Sequence, residues 1–152
     1  VPAGVGEPWF DSVESIISHA AFSLGGVKGV EFGAGFAAAD MKGSECNDPL
    51  RVSDGRIVTT TNNNGGVNGG ITNGMPIVFR CAVKPTPSIA QQQDTVDFIK
   101  NENTQLSIHG RHDPAIIRRI CPVLDSVAAL CVADMLSLRY GTDVLTKGVD
   151  DK

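Results

Sequence analysis

Residues 110–139 read GRHDPAIIRRICPVLDSVAALCVADMLSLR, and how this stretch folds decides the architecture of the chain. Its first five residues place a fixed cation (Arg111), a titratable imidazole (His112) and a carboxylate (Asp113) side by side. Arg presents a planar fork of donors to anions, His changes charge near neutral pH, and Asp accepts or relays a proton. An Asp–Pro pair also starts helices well, because the Asp side chain caps orphan amides and Pro fits the first helical position. GRHDP therefore reads either as a helix cap flanked by surface residues or as a cluster that does chemistry. Residues 114–139 are helical by pattern, with Pro122 inside. The proline predicts a short turn up to Cys121 and a main helix from Pro122. Residues 127–136 are apolar nearly all round except Asp134, which predicts burial against more than one layer.

Working outward, residues 8–24 carry Val13, Ile16, Ile17, Ala20, Ala21 and Leu24 on one helical face. Asp11 followed by Glu14 resembles a capping box, and Gly25-Gly26 ends the helix. His19 lies off the stripe and reads as structural or exposed. Residues 27–36 look like a strand interrupted by glycine. A short hairpin over 52–61 turns at Asp54-Gly55. Residues 59–74 are dominated by Thr, Asn and Gly, read either as a flexible polar loop or as backbone that approaches a ligand closely. Residues 75–83 form a strand with Ile77, Phe79 and Cys81 on one face. It runs into Lys84-Pro85-Thr86-Pro87-Ser88, where a cation and two hydroxyls suit a phosphate or a polar ring edge, or form an exposed turn. Strands over 95–99 and 105–108, joined at Asn101-Glu102-Asn103, complete the set. The expected class is α+β: an antiparallel sheet packed against two long helices, in one domain over residues 1–152.

Composition narrows the function classes. The 152 residues are 41% hydrophobic and 20% charged, with net charge −4. That is ordinary globular composition, and it argues against a dedicated nucleic-acid binder. No apolar run reads as long enough to span a bilayer and no signal peptide is visible, so neither membrane nor nucleic acid is an expected partner. The four cysteines form no CxxC pair, so no metal site is expected, and a reduced, cytoplasmic setting is the simplest account. The opening Val1-Pro2-Ala3-Gly4 has no Met before it and reads as a piece of a longer protein or a processed chain.

The segments GVGEP at 4–8, VKGVE at 27–31, GAGF at 33–36, GSE at 43–45, ND at 47–48, NGG at 64–66, GGI at 69–71, KPT at 84–86 and GRHDP at 110–114 occur in that order. Each is weak alone; together they resemble the C-terminal half of the chorismate synthase family, over nearly all of residues 4–140. The resemblance implies anti-1,4 elimination of phosphate from 5-enolpyruvylshikimate-3-phosphate to give chorismate. It implies reduced FMN as cofactor, a sheet–helix sandwich and a homotetramer. It implies that Gly25, Gly26, Gly69, Lys84, Pro85, Thr86, Pro87, Ser88 and Arg111 contact FMN, and that Asp113 is the catalytic aspartate beside the flavin, placed to relay the substrate's proton. Arg111 and Lys84 would offset the charge of two anionic ligands. Two departures bear on this. The family often has Ser where Pro87 stands, and its two catalytic histidines and most substrate-binding arginines lie in its N-terminal half. His19, His109 and His112 do not replace them by motif. The alternatives are a catalytically inactive FMN- or anion-binding fragment, and a scaffold module that has kept the fold.

Overall fold

The computed structural model describes residues 1–148. The first helix, α1 (Val13–Phe22), follows a single 3-10 turn at Trp9–Asp11. Ser12, extended at φ −62° and ψ 152°, is the cap: its hydroxyl accepts from the Ser15 N–H at 3.0 Å. The Asp11–Glu14 box expected from sequence does not form, because Asp11 is consumed by the preceding turn, which Trp9 enters at φ 68°. Val13, Ile17 and Ala21 are buried, following the expected stripe.

Strand β1 (Val27–Phe32) stops earlier than its sequence suggests, because Gly33 (φ 54°) and Gly35 (φ 56°) turn the chain into a 3-10 helix at Gly35–Asp40. After a short helix α2 (Gly43–Cys46), strands β2 (Leu50–Ser53) and β3 (Arg56–Thr59) form a hairpin. Asp54 (φ 52°) and Gly55 (φ 73°) supply the two positive dihedrals that such a tight turn needs. The Asn- and Gly-rich segment is ordered and carries a second small hairpin, β4 (Val67–Asn68) and β5 (Ile71–Thr72). Strand β6 (Phe79–Val83) then pairs antiparallel with β1, setting Val27 opposite Val83, Val30 opposite Cys81, and Phe32 opposite Phe79. Phe32 and Phe79 stack at 5.7 Å between ring centroids.

Strands β7 (Gln93–Asp97) and β8 (Glu102–Leu106) form a ribbon displaced toward the N-terminus from the one expected. The cause is local. Asp97 accepts hydrogen bonds from the Ile99 and Lys100 N–H groups and ends β7 there, while Asn101 turns at φ 56°.

Helix α3 (Ile117–Tyr140) is continuous through Pro122 for 24 residues, so the break expected after Cys121 is absent. Pro122 removes one rung of the hydrogen-bond ladder, but it stands close enough to the start for neighbouring rungs to hold the helix. A short helix α4 (Val144–Lys147) follows. The chain is therefore mixed α and β with antiparallel pairing, as expected in class. Its strands form four two-stranded ribbons among the described residues, and only α3 is long; α1 has 10 residues.

The core gathers Val5, Val13, Ile17, Val67 and Met135, with Ile16, Phe79, Cys131 and Leu136 packed around it. Thr72 is buried among them and satisfied: its hydroxyl accepts from the Val5 N–H at 2.9 Å and donates to the Pro2 carbonyl at 2.6 Å. Helix α3 packs on α1 along one face only. Leu130 and Leu138 remain 71% and 77% exposed, so the all-round burial expected of residues 127–136 is not reached in this chain. Nor does the expectation of no membrane-length segment hold, because continuity through Pro122 makes α3 long and apolar enough by length and mean hydropathy (1.7). Core helices of soluble proteins meet the same criterion of length and composition.

Candidate functional site

Three segments meet where α1 hands over to β1. The Lys84 N–H donates to the Gly26 carbonyl at 2.8 Å, tying the exit of β6 to the turn before β1. Gly26 adopts φ 102°, and a Cβ there would stand 3.0 Å from Ile116 Cδ1 and 3.8 Å from Val83 Cγ1. Ile116 immediately precedes α3, so the C-terminal end of the linker that carries Arg111 and Asp113 reaches the same corner. Gly25 has open space where a Cβ would be. The sequence candidates Gly25, Gly26, Lys84 and the approach to α3 are thus neighbours drawn from three chain segments distant in sequence.

The proline-bounded segment after β6 holds one polar atom with nothing to do. Thr86 Oγ1 is buried and has no hydrogen-bond partner among the described residues. Buried hydroxyls are almost always paired, and one left alone costs about 1–3 kcal/mol. Pro85 and Pro87 on either side lack N–H groups and have restricted φ, so they stiffen the segment around it. Lys84 and Arg111 are exposed, and neither makes an ion pair among the described residues.

Asp113 is not a helix cap. The residue before α3 is Ile116, without a side-chain cap. The Asp113 carboxylate is instead held by Arg119: Nη1 to Oδ2 at 2.9 Å and Nη2 to Oδ1 at 3.3 Å. A two-pronged charged pair is stronger than a single cap bond to a neutral amide, which is why the carboxylate turns away from the helix amides. The His112 ring Nε2 lies 2.9 Å from the Ile108 carbonyl, which fixes the ring within the linker.

Gly69 stands apart from the other candidates. It sits in the β4–β5 turn, and the next carbonyl, of Gly70, accepts from the Val13 N–H at 3.0 Å at the start of α1. The Gly25–Gly26 turn lies beyond the other end of α1, about 15 Å along a helix of 10 residues.

Two residues of this region carried no role in the sequence reading. One is Arg119. Its signal was its position in the first turn of α3, where the helix dipole repels a cation unless a carboxylate compensates. The other is Asp48, which organises the Asn-rich loop. Its carboxylate accepts from the Thr61 hydroxyl (2.7 Å), the Asn63 N–H (2.7 Å), the Asn64 N–H (2.9 Å) and the Asn64 side chain (2.8 Å). Partial burial pushes its pKa up, but these donors outweigh burial and bring it from 3.8 down to about 2.

Comparison with known proteins finds relatives along most of the chain. A family model described as chorismate synthase matches residues 1–137. A chorismate synthase of Archaeoglobus fulgidus is 50% identical over 139 residues, covering 91% of this chain and 39% of that protein. One of Chitinophaga pinensis is 54% identical over 147 residues, covering 97% of this chain and 44% of that protein. A crystal structure of chorismate synthase superposes with a TM-score of 0.74 at 33% identity, over 94% of this chain and 36% of that one. The chain spans about two fifths of the length of these curated relatives.

Proposed function

The chain belongs to the chorismate synthase family, and from that premise we propose that it is the C-terminal part of a phosphate-eliminating lyase. The whole enzyme would convert 5-enolpyruvylshikimate-3-phosphate to chorismate in the shikimate pathway of aromatic amino acid biosynthesis, with reduced FMN as cofactor. It would work in the cytoplasm as a homotetramer. Trp9 and Phe10, 83% and 85% exposed, and the open face of α3 are the surfaces that the rest of the enzyme or its other subunits would cover.

The residues present suit a phosphate-bearing planar anion. Among the described residues the Thr86 hydroxyl is buried and unpartnered, Lys84 and Arg111 are cations without ion-pair partners, and Gly26 brings its backbone against that of Lys84. Thr86 and Ser88 would donate hydroxyls to the cofactor while Lys84 supplies a point charge. Arg111 would bind acceptor pairs with its planar fork. Gly25, Gly26, Gly69, Pro85 and Pro87 would line the cofactor with backbone, Gly69 from its own end of α1. When bound, reduced flavin supplies electron density beside the departing phosphate. Asp113 would hold and pass on the proton that leaves the substrate ring. The cations would meanwhile offset negative charge concentrated in one place.

The unpartnered Thr86 hydroxyl carries this reading. It is tested in the full-length enzyme by anaerobic titration with reduced FMN, comparing wild type with Thr86→Val. Val keeps the shape and removes the hydroxyl, so loss of one hydrogen bond should raise the Kd for flavin about 5- to 10-fold. The flavin-free protein should unfold at the same temperature or higher, since an unsatisfied buried group has been removed. An unchanged Kd would show that this segment does not hold the cofactor.

A further inference from the structure

The Arg119–Asp113 pair has three features that an incidental surface ion pair lacks. First, it is two-pronged: both guanidinium Nη atoms engage both carboxylate oxygens, at 2.9 and 3.3 Å. Such fork-to-fork pairing fixes the plane of the carboxylate as well as its position. Second, its two halves sit on unlike supports. Arg119 is in the first turn of α3, where its N–H donates to the Ile116 carbonyl at 3.0 Å. Asp113 lies in the linker between β8 and α3, which has no regular secondary structure. Arg119 is the only side chain, among the described residues, that bonds to the Asp113 carboxylate. Third, Arg119 occupies a place where a cation is unfavourable by itself, the positive end of a helix. The carboxylate it holds offsets that cost.

The pair also leaves Asp113 able to act. A carboxylate has about four lone-pair sites, and a fork-to-fork pair uses one on each oxygen. The others stay open to a proton donor. The arrangement sorts the arginines of the region. Arg111 is exposed and without an ion-pair partner among the described residues, while Arg119 is committed to Asp113.

We propose that Arg119 is a positioning residue for Asp113: it anchors the carboxylate to the rigid end of α3 and orients the lone pairs that take the proton. This rests on the reading of Asp113 as the proton-handling group. Arg119 itself need not touch substrate or cofactor.

The test uses the full-length enzyme, with reduced FMN and 5-enolpyruvylshikimate-3-phosphate, and follows phosphate release. Four variants are compared with wild type: Asp113→Asn, Arg119→Ala, Arg119→Lys and the double variant Asp113→Asn/Arg119→Ala. A carboxylate freed from its anchor should lower kcat by roughly 10- to 10²-fold, the scale on which small misplacements act. The KM for substrate and the Kd for flavin should stay within about twofold, since a positioning role leaves binding contacts intact. Arg119→Lys restores the charge without the fork and should recover part of the loss. The double variant should be no slower than Asp113→Asn alone, because both changes disable one unit. If Asp113→Asn is slow while Arg119→Ala has wild-type kcat, the positioning role is overturned and the reading of Asp113 stands. If Asp113→Asn has wild-type kcat, the reading of Asp113 fails and this inference with it. Losses that add in the double variant, or a raised flavin Kd in Arg119→Ala, would overturn the proposal by showing that Arg119 acts on a ligand directly. Should Arg119→Ala fail to fold, Arg119→Lys decides, and a wild-type kcat there overturns the proposal.

Discussion

The main-chain N–H of Lys84 and the carbonyl of Gly26, 2.8 Å apart, join the residue leaving β6 to the turn entering β1. The bond continues the β1–β6 pairing one step beyond Val27 and Val83, and so brings two distant parts of the chain together at this corner.

Gly26 is the vulnerable half. At φ 102° an alanine is strained, and its methyl would press on Ile116 Cδ1 at 3.0 Å. Ile116 Cδ1 is the flexible end of a side chain and can yield, so the dihedral dominates the cost. Gly26→Ala is expected to destabilise the protein by about 1–2 kcal/mol. Gly25→Ala, with open space and no positive φ, should be nearly neutral. Thermal unfolding of the two variants checks this; equal midpoints would show that the corner tolerates a side chain at Gly26.

Lys84 and Arg111, without ion-pair partners among the described residues, should not contribute equally. In the full-length enzyme, Arg111→Ala is expected to weaken flavin or substrate binding more than Lys84→Ala. A planar fork holds two acceptors while an ammonium acts as a point charge on a flexible stem. The loss for one charge-assisted contact is about 1.5–3 kcal/mol. Equilibrium titration of both variants reads it directly. Wild-type affinity in both would remove these residues from the anion site.

Asp48 ties the stability of the Asn-rich loop to acid. Its folded pKa of about 2 lies below the usual 3.8. The stabilisation it contributes is therefore complete above pH 4 and is lost as pH falls through the folded value. Because the carboxylate is only partly buried, solvent screening limits its contribution to about 1 kcal/mol. Asp48→Asn should lower stability at pH 7 by an amount of that order, and the difference from wild type should shrink below pH 3. A pH-independent difference between the two proteins would assign the effect to packing instead.

What the sequence revealed depended on the range of the interaction. The stripe of Val13, Ile17 and Ala21 and the Asp54-Gly55 turn are local patterns, read within a few residues, and both formed where expected. Pro122 misled because its effect depends on how many rungs surround it, and α3 starts early enough to carry it. The β7–β8 register was set by one side chain, Asp97, reaching two N–H groups beyond its own strand. At the site, residue types were legible but adjacency was not. Nothing in the chain announces that Lys84 bonds Gly26, or that Asp113 forgoes capping for Arg119. These are pairings between segments that only the folded backbone brings together.

Pro122 gives α3 a mechanical character that its unbroken length conceals. It has no N–H to offer the Arg118 carbonyl, and the Ser126 hydroxyl donates to the Pro122 carbonyl at 2.8 Å, a pairing that tends to bend a helix. Both perturbations fall between the turn that carries Arg119 and the stretch around Met135 that packs in the core. A bending load on α3 is therefore relieved at this joint before the core contacts yield. The short arm ahead of it carries Arg119, is seated by the buried Ile120, and moves as one piece with the Asp113 it holds.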